Sequence, residues 1–97
     1  MQIEFRTKQL EGWYKDSKTA QRALGFSLAQ KYVLRINTIK QAEDFDELKE
    51  IRSLRVHALK GHRSGQFAMN LDGFHRLIVT DRGEIVRIEE VSKHYGD

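Results

Sequence analysis

The chain reads as an α+β domain, and three features of its sequence carry that reading. Apolar residues stand three or four apart through the first half, and they alternate with polar ones beyond Ile51. The alternating stretches are joined by links of two to six residues, which leaves room only for hairpin turns.

Residues 2–5, "QIEF", alternate weakly and predict a short first strand. A short helix from Lys8 to about Tyr14 follows, with Leu10, Trp13 and Tyr14 available to one side. Over residues 19–42, Leu24, Leu28, Tyr32, Ile36 and Ile39 form one apolar stripe at helical spacing. Gly25 within that stretch costs about 1 kcal/mol relative to Ala, so the ordered helix is expected to begin near it.

Four strands are predicted next, over residues 54–59, 66–71, 74–80 and 84–91. Asp72-Gly73 predicts a two-residue type I′ turn, and Arg82-Gly83 a similar one. Links this short force antiparallel neighbours. The expected architecture is β-α-α-β-β-β-β, an antiparallel sheet covered on one face by two N-terminal helices, in a single domain spanning residues 1–97. Alternation puts His75, Leu77 and Val79 towards the helices, with Arg76 on the other face; Arg55, His57 and Leu59 share one side of their strand.

Composition narrows the function classes. The chain has no cysteine, which excludes disulfides, thiolate metal sites and a cysteine nucleophile. No apolar run approaches the roughly 20 residues of a membrane span, and "MQIEFRTKQL" lacks a signal-peptide stretch, so a cytoplasmic location and no membrane partner are expected. Net charge is only +3, with a pI near 9.3. It is unevenly spread: residues 43–50 carry five acids, whereas residues 51–71 carry none and supply Arg52, Arg55, Lys60 and Arg63.

His57, His62, His75 and His94 show neither HxH nor HExxH spacing, so no metal is expected, and no glycine motif for a nucleotide or other small-molecule cofactor is present. Histidine and cation chemistry remains. Cutting RNA without a metal takes a base for the 2′-OH, positive charge at the phosphorane and an acid for the departing 5′-oxygen. His57, Lys60, Arg63, Arg76 and His94 are of the types that supply these, with His57 and Arg76 on neighbouring strands. Each also has a plainer reading: Lys60 and Arg63 as solvated turn cations, His62 as a turn residue, His75 as a packing residue, His94 and Tyr95 as tail residues.

The segment "RVHALKGHRSGQFAMNLDGFHRLIV", residues 55–79, resembles the diagnostic stretch of HigB-type plasmid-maintenance killer toxins in the RelE/ParE superfamily. That stretch reads Leu-His-x-Leu-Lys-Gly, five residues and an aromatic, then an Asn-Gly-type turn and Trp-Arg-Leu; the match runs over 25 residues without a gap. The resemblance implies a ribosome-dependent mRNA endonuclease, with the ribosome and mRNA as partners and a helix-turn-helix, HigA-like antitoxin as inhibitor. His57, Lys60 and Arg76 fall on the family's histidine, lysine and arginine. Two departures stand out: His75 replaces the tryptophan, and the tail "EEVSKHYGD" carries His94 and Tyr95 reversed and shifted relative to Asp-Tyr-His. The expected catalytic set is His57, Lys60, Arg76 and His94, with Arg55, Arg63, Lys93 and Tyr95 on the RNA. The alternative is a ParE-like DNA gyrase inhibitor without chemistry of its own.

Overall fold

The computed structural model describes residues 1–63 and 65–93. Strand β1 (Gln2–Phe5) is followed by helices α1 (Lys8–Lys15), α2 (Ser17–Leu24), α3 (Phe26–Gln41) and α4 (Phe45–Glu50), then β2 (His57–Ala58), β3 (Gln66–Asn70), β4 (His75–Arg82) and β5 (Ile85–Lys93). Short 3-10 turns at Arg52–Leu54 and Gly61–Arg63 flank β2. The five strands form one sheet in the order β1-β5-β4-β3-β2.

That order corrects the expected sheet. The β2-β3-β4-β5 meander is antiparallel, but β1 lies parallel to β5, pairing Gln2 with Ile85 and Phe5 with Ile88. A parallel partner demands a long connection: the helices carry the chain from β1 to β2 at the opposite edge, and the meander returns it to β5 beside β1. Helical periodicity identifies the crossover but not the strand to which it returns.

Four helices replace the expected two: residues 45–50 form one of their own, and the 19–42 stretch divides at Gly25. That residue adopts φ 82 and ψ 159, a conformation open essentially to glycine alone. The helix before it starts at Ser17, where the Asp16 carboxylate accepts from the amides of Lys18 and Thr19 and has its pKa lowered by the hydrogen bonds from Thr19. The acidic run at 43–50 holds α4, capped where Asp44 accepts from the Glu47 amide at 2.9 Å. Its acids near the helix start suit the positive end of the helix dipole.

Tyr32, Ile36 and Ile39 of α3 are fully buried against Leu77 and Val79 of β4 and Val86 and Ile88 of β5. Burying each such side chain stabilises the fold by about 1.5–3 kcal/mol. The Tyr32 hydroxyl donates to the Leu10 carbonyl at 2.7 Å, which satisfies the polar tip and ties α1 to α3. Burial pushes that phenol's pKa far up. Helix α4 buries Phe45 and Leu48, and the Phe45 ring stacks 4.8 Å from Phe67 of β3. This contact packs α4 on the helix-covered face at β3, next to the edge where β2 is added.

The turns also depart from expectation. Gly73 is not at positive φ; instead Asp72 Oδ1 accepts from the amides of Phe74 and His75, both at 2.7 Å, and the Leu71 amide donates to the His75 carbonyl. The polar side chain makes the turn that an I′ backbone was expected to make. At the next hairpin Gly83, φ 82, is the first central residue between paired Arg82 and Ile85, the place where a II′ turn needs glycine. No helix among the described residues is long and apolar enough to cross a membrane.

Candidate functional site

Pairing sorts the residues of the face away from the helices. His57 of β2 is opposite Ala68, Ala68 opposite Ile78, and Ile78 opposite Glu90; in the next row Asn70, Arg76 and Ser92 lie in register. Paired residues point to the same side of a sheet, so His57, Asn70 and Arg76 share the open face. His57 and Arg76 are not on neighbouring strands as expected. Strand β3 lies between them, with Ala68 fully buried opposite His57.

A groove of about 870 Å³ runs across this face, lined by residues 55–60 together with Asn70, Gly73 and Arg76. Arg55, His57, Lys60 and Arg76 therefore converge, with no carboxylate among the residues lining the groove. Two strand spacings, roughly 10 Å, separate the backbones carrying His57 and Arg76.

The strand predicted over 54–59 shrinks to His57 and Ala58, because Leu54, its side chain buried, ends a 3-10 turn and Arg55 takes a left-handed conformation, φ 48 and ψ 47. Among the described residues it is the only non-glycine with positive φ. The kink has a local use: the Arg55 carbonyl lies 3.0 Å from His57 Nδ1. A carbonyl can only accept, so Nδ1 carries a proton in this contact.

Other expected residues lie elsewhere. Arg63 reaches over the open face to Glu90, Nη2 to Oε2 2.8 Å, and is held there rather than lining the groove. Lys93 is opposite His75 and so extends from the other face of the sheet than Arg76. His75, expected to pack partly in the core, is half-buried at the start of β4, with its Nδ1 3.1 Å from Asp72 Oδ1. His94 and Tyr95 lie outside the described residues.

Two contributors were missed in the sequence. Asn70 faces the groove beside Arg76, and alternation along "QFAMN" had already put Ala68 and Asn70 on one side. Arg35 of α3 donates from Nε to the Asn70 carbonyl at 2.8 Å, bracing the end of β3; burial lowers its pKa. An arginine among the polar and charged residues of α3 carries no signal of that partner. Among the described residues no group of three or more His, Asp or Glu side chains is placed to hold a metal ion.

The helix-backed sheet and its open basic groove define a small mixed α+β fold, which solved structures share. The chain is similar to YafQ in the E. coli DinJ-YafQ complex, at 20% identity and TM-score 0.66, covering 95% of this chain and 91% of that one. It is also similar to YoeB in the Staphylococcus aureus YoeB-YefM complex, at 19% identity and TM-score 0.57, covering 98% of each chain. A YoeB/ParE toxin from Agrobacterium tumefaciens matches at 16% identity and TM-score 0.53, over 98% of this chain and 100% of that one. Neither a protein-family model nor a curated protein sequence matches.

Proposed function

We propose that the protein is the toxin of a type II toxin-antitoxin pair, an endoribonuclease that cuts messenger RNA on the ribosome. The observation that carries this reading is the groove itself: an oriented imidazole and three cations around one concave surface, without an opposing carboxylate. The fold shared with a YoeB/ParE toxin supports it, as does the segment resembling HigB-type toxins.

In this reading His57 Nε2 takes the proton from a ribose 2′-OH, whose oxygen attacks the adjacent phosphorus. Arg76 and Lys60 stabilise the negative charge that builds on the phosphorane, Arg76 through a bidentate fork. The bond to the 5′-oxygen breaks, and that oxygen leaves with a proton from a general acid, a role assigned to His94. The products are a 2′,3′-cyclic phosphate and a 5′-hydroxyl end. Arg55 holds neighbouring phosphates; Arg63 and Lys93 are assigned backbone contacts outside the groove, and Tyr95 a further contact with the RNA. A helix-turn-helix antitoxin would silence the protein by covering the basic face; the YafQ and YoeB structures above are themselves complexes, with DinJ and YefM.

The test is to add purified protein to a translation reaction and map message ends. Cuts spaced by codons, leaving cyclic phosphate, are expected. Intact message with gyrase-linked DNA breaks would replace this reading with a gyrase-directed one.

A further inference from the structure

We infer that Phe74 is a base-stacking platform that positions the nucleotide beside the scissile phosphate, an inference that rests on the RNA-cutting reading above. Phe74 is 75% exposed, more than the two other large exposed apolar residues, Phe26 and Leu34. Leaving a phenyl ring in water forgoes the stabilisation that burying it would bring, and a turn of this kind is served equally well by a polar residue. Phe74 nevertheless stands between Gly73 and Arg76, both of which line the groove.

Its backbone is held firmly. The Phe74 amide donates to Asp72 Oδ1 at 2.7 Å, and the same carboxylate is gripped by the His75 amide and ring. An aromatic side chain on a pinned backbone has only two torsions to settle, so little freedom is lost when a base lies against it. Phe74 immediately precedes β4 and stands two residues before Arg76, so their Cα atoms are at most about 7 Å apart. That places a stacking surface and a phosphate fork within the reach of one nucleotide. Single-stranded RNA is recognised in this way, with unstacked bases laid on aromatic rings and the backbone tracked by cations. Asn70, in register with Arg76, adds an amide able to read a base edge from the groove wall.

The experiment compares Phe74→Ala, Phe74→Leu and Phe74→Trp with the unaltered protein. In translating extract, the protein concentration giving half-maximal message cleavage and the distribution of cut sites are measured. Because the ring is exposed, all three variants are expected to melt within a degree or two of the parent. Phe74→Ala and Phe74→Leu are expected to need about five to a hundred times more protein, the effect of removing one stacked base. Their cut sites should spread over more sequences. Phe74→Trp is expected to cut at least as well as the parent. Phe74→Ala cutting like the parent would overturn the inference, and so would full activity in Phe74→Leu, which points to an apolar contact with a protein. An unaltered protein that leaves message intact overturns the RNA-cutting reading itself.

Discussion

The His57 imidazole donates from Nδ1 to the carbonyl of Arg55, two residues before it and 3.0 Å away. Arg55 presents that carbonyl from the left-handed region, at φ 48, where a side chain costs about 1–2 kcal/mol. A strained residue thus orients the proposed base. Arg55→Gly keeps the carbonyl and relieves the strain, against a loss of about 0.5–1 kcal/mol in chain entropy. Its melting temperature should stay close to that of the parent, whereas Arg55→Val, β-branched at positive φ, should lose about 2 kcal/mol. Message cleavage by Arg55→Gly should persist, with a salt dependence shallower by about 0.7 for the one lost phosphate contact. Equal stability of the Gly and Val variants would remove the strain argument.

Asp72 offers a pH test. Burial alone would raise its pKa, but the Phe74 amide and the ring and amide of His75 outweigh that and hold it below the usual carboxylate value. A depressed folded pKa contributes stability that is present above the unfolded value, about 3.9, and lost as pH falls through the folded one. Asp72→Asn should therefore be less stable than the parent by about 1 kcal/mol at pH 7, a typical value for a lost carboxylate cap. The gap should narrow below pH 4. Urea unfolding at pH 7 and pH 3 checks this, and a gap unchanged between the two counts against it.

Gly25 gives a sign that sequence reasoning alone inverts. As a helix-interior glycine it would gain about 1 kcal/mol on replacement by Ala. At φ 82 and ψ 159 it should instead lose about 1–3 kcal/mol, the cost of backbone strain. A Cβ there would meet nothing within 4 Å, so the loss is one of backbone conformation and not of crowding. Thermal unfolding of Gly25→Ala measures it, and a stabilised variant would contradict the break between α2 and α3.

What the sequence made legible follows how locally each feature is determined. The stripe of Leu28, Tyr32, Ile36 and Ile39 found the core face of α3, because period alone dictates burial there. Alternation likewise put Leu77 and Val79 inwards. The parallel pairing of β1 with β5 was not legible, since it joins segments some eighty residues apart with no turn chemistry to announce it. The hairpin at residues 71–75 was found, but its mechanism was misread: Asp72 serves through its side chain, and Gly73 is not at positive φ. In the groove, His57, Lys60 and Arg76 were legible as residue types in a spaced motif. Asn70 and the Arg63-Glu90 pair depend on register across strands, which composition and spacing do not encode.

The central claim, that His57 and Arg76 act together on one phosphodiester, is tested most directly by single-turnover cleavage of ribosome-bound message. His57→Ala and Arg76→Ala should each slow the cut by about a hundredfold or more. The double variant should be little slower than the worse single one, because groups serving one transition state are not additive. His57→Ala that cuts at the parental rate, while remaining folded, contradicts the claim.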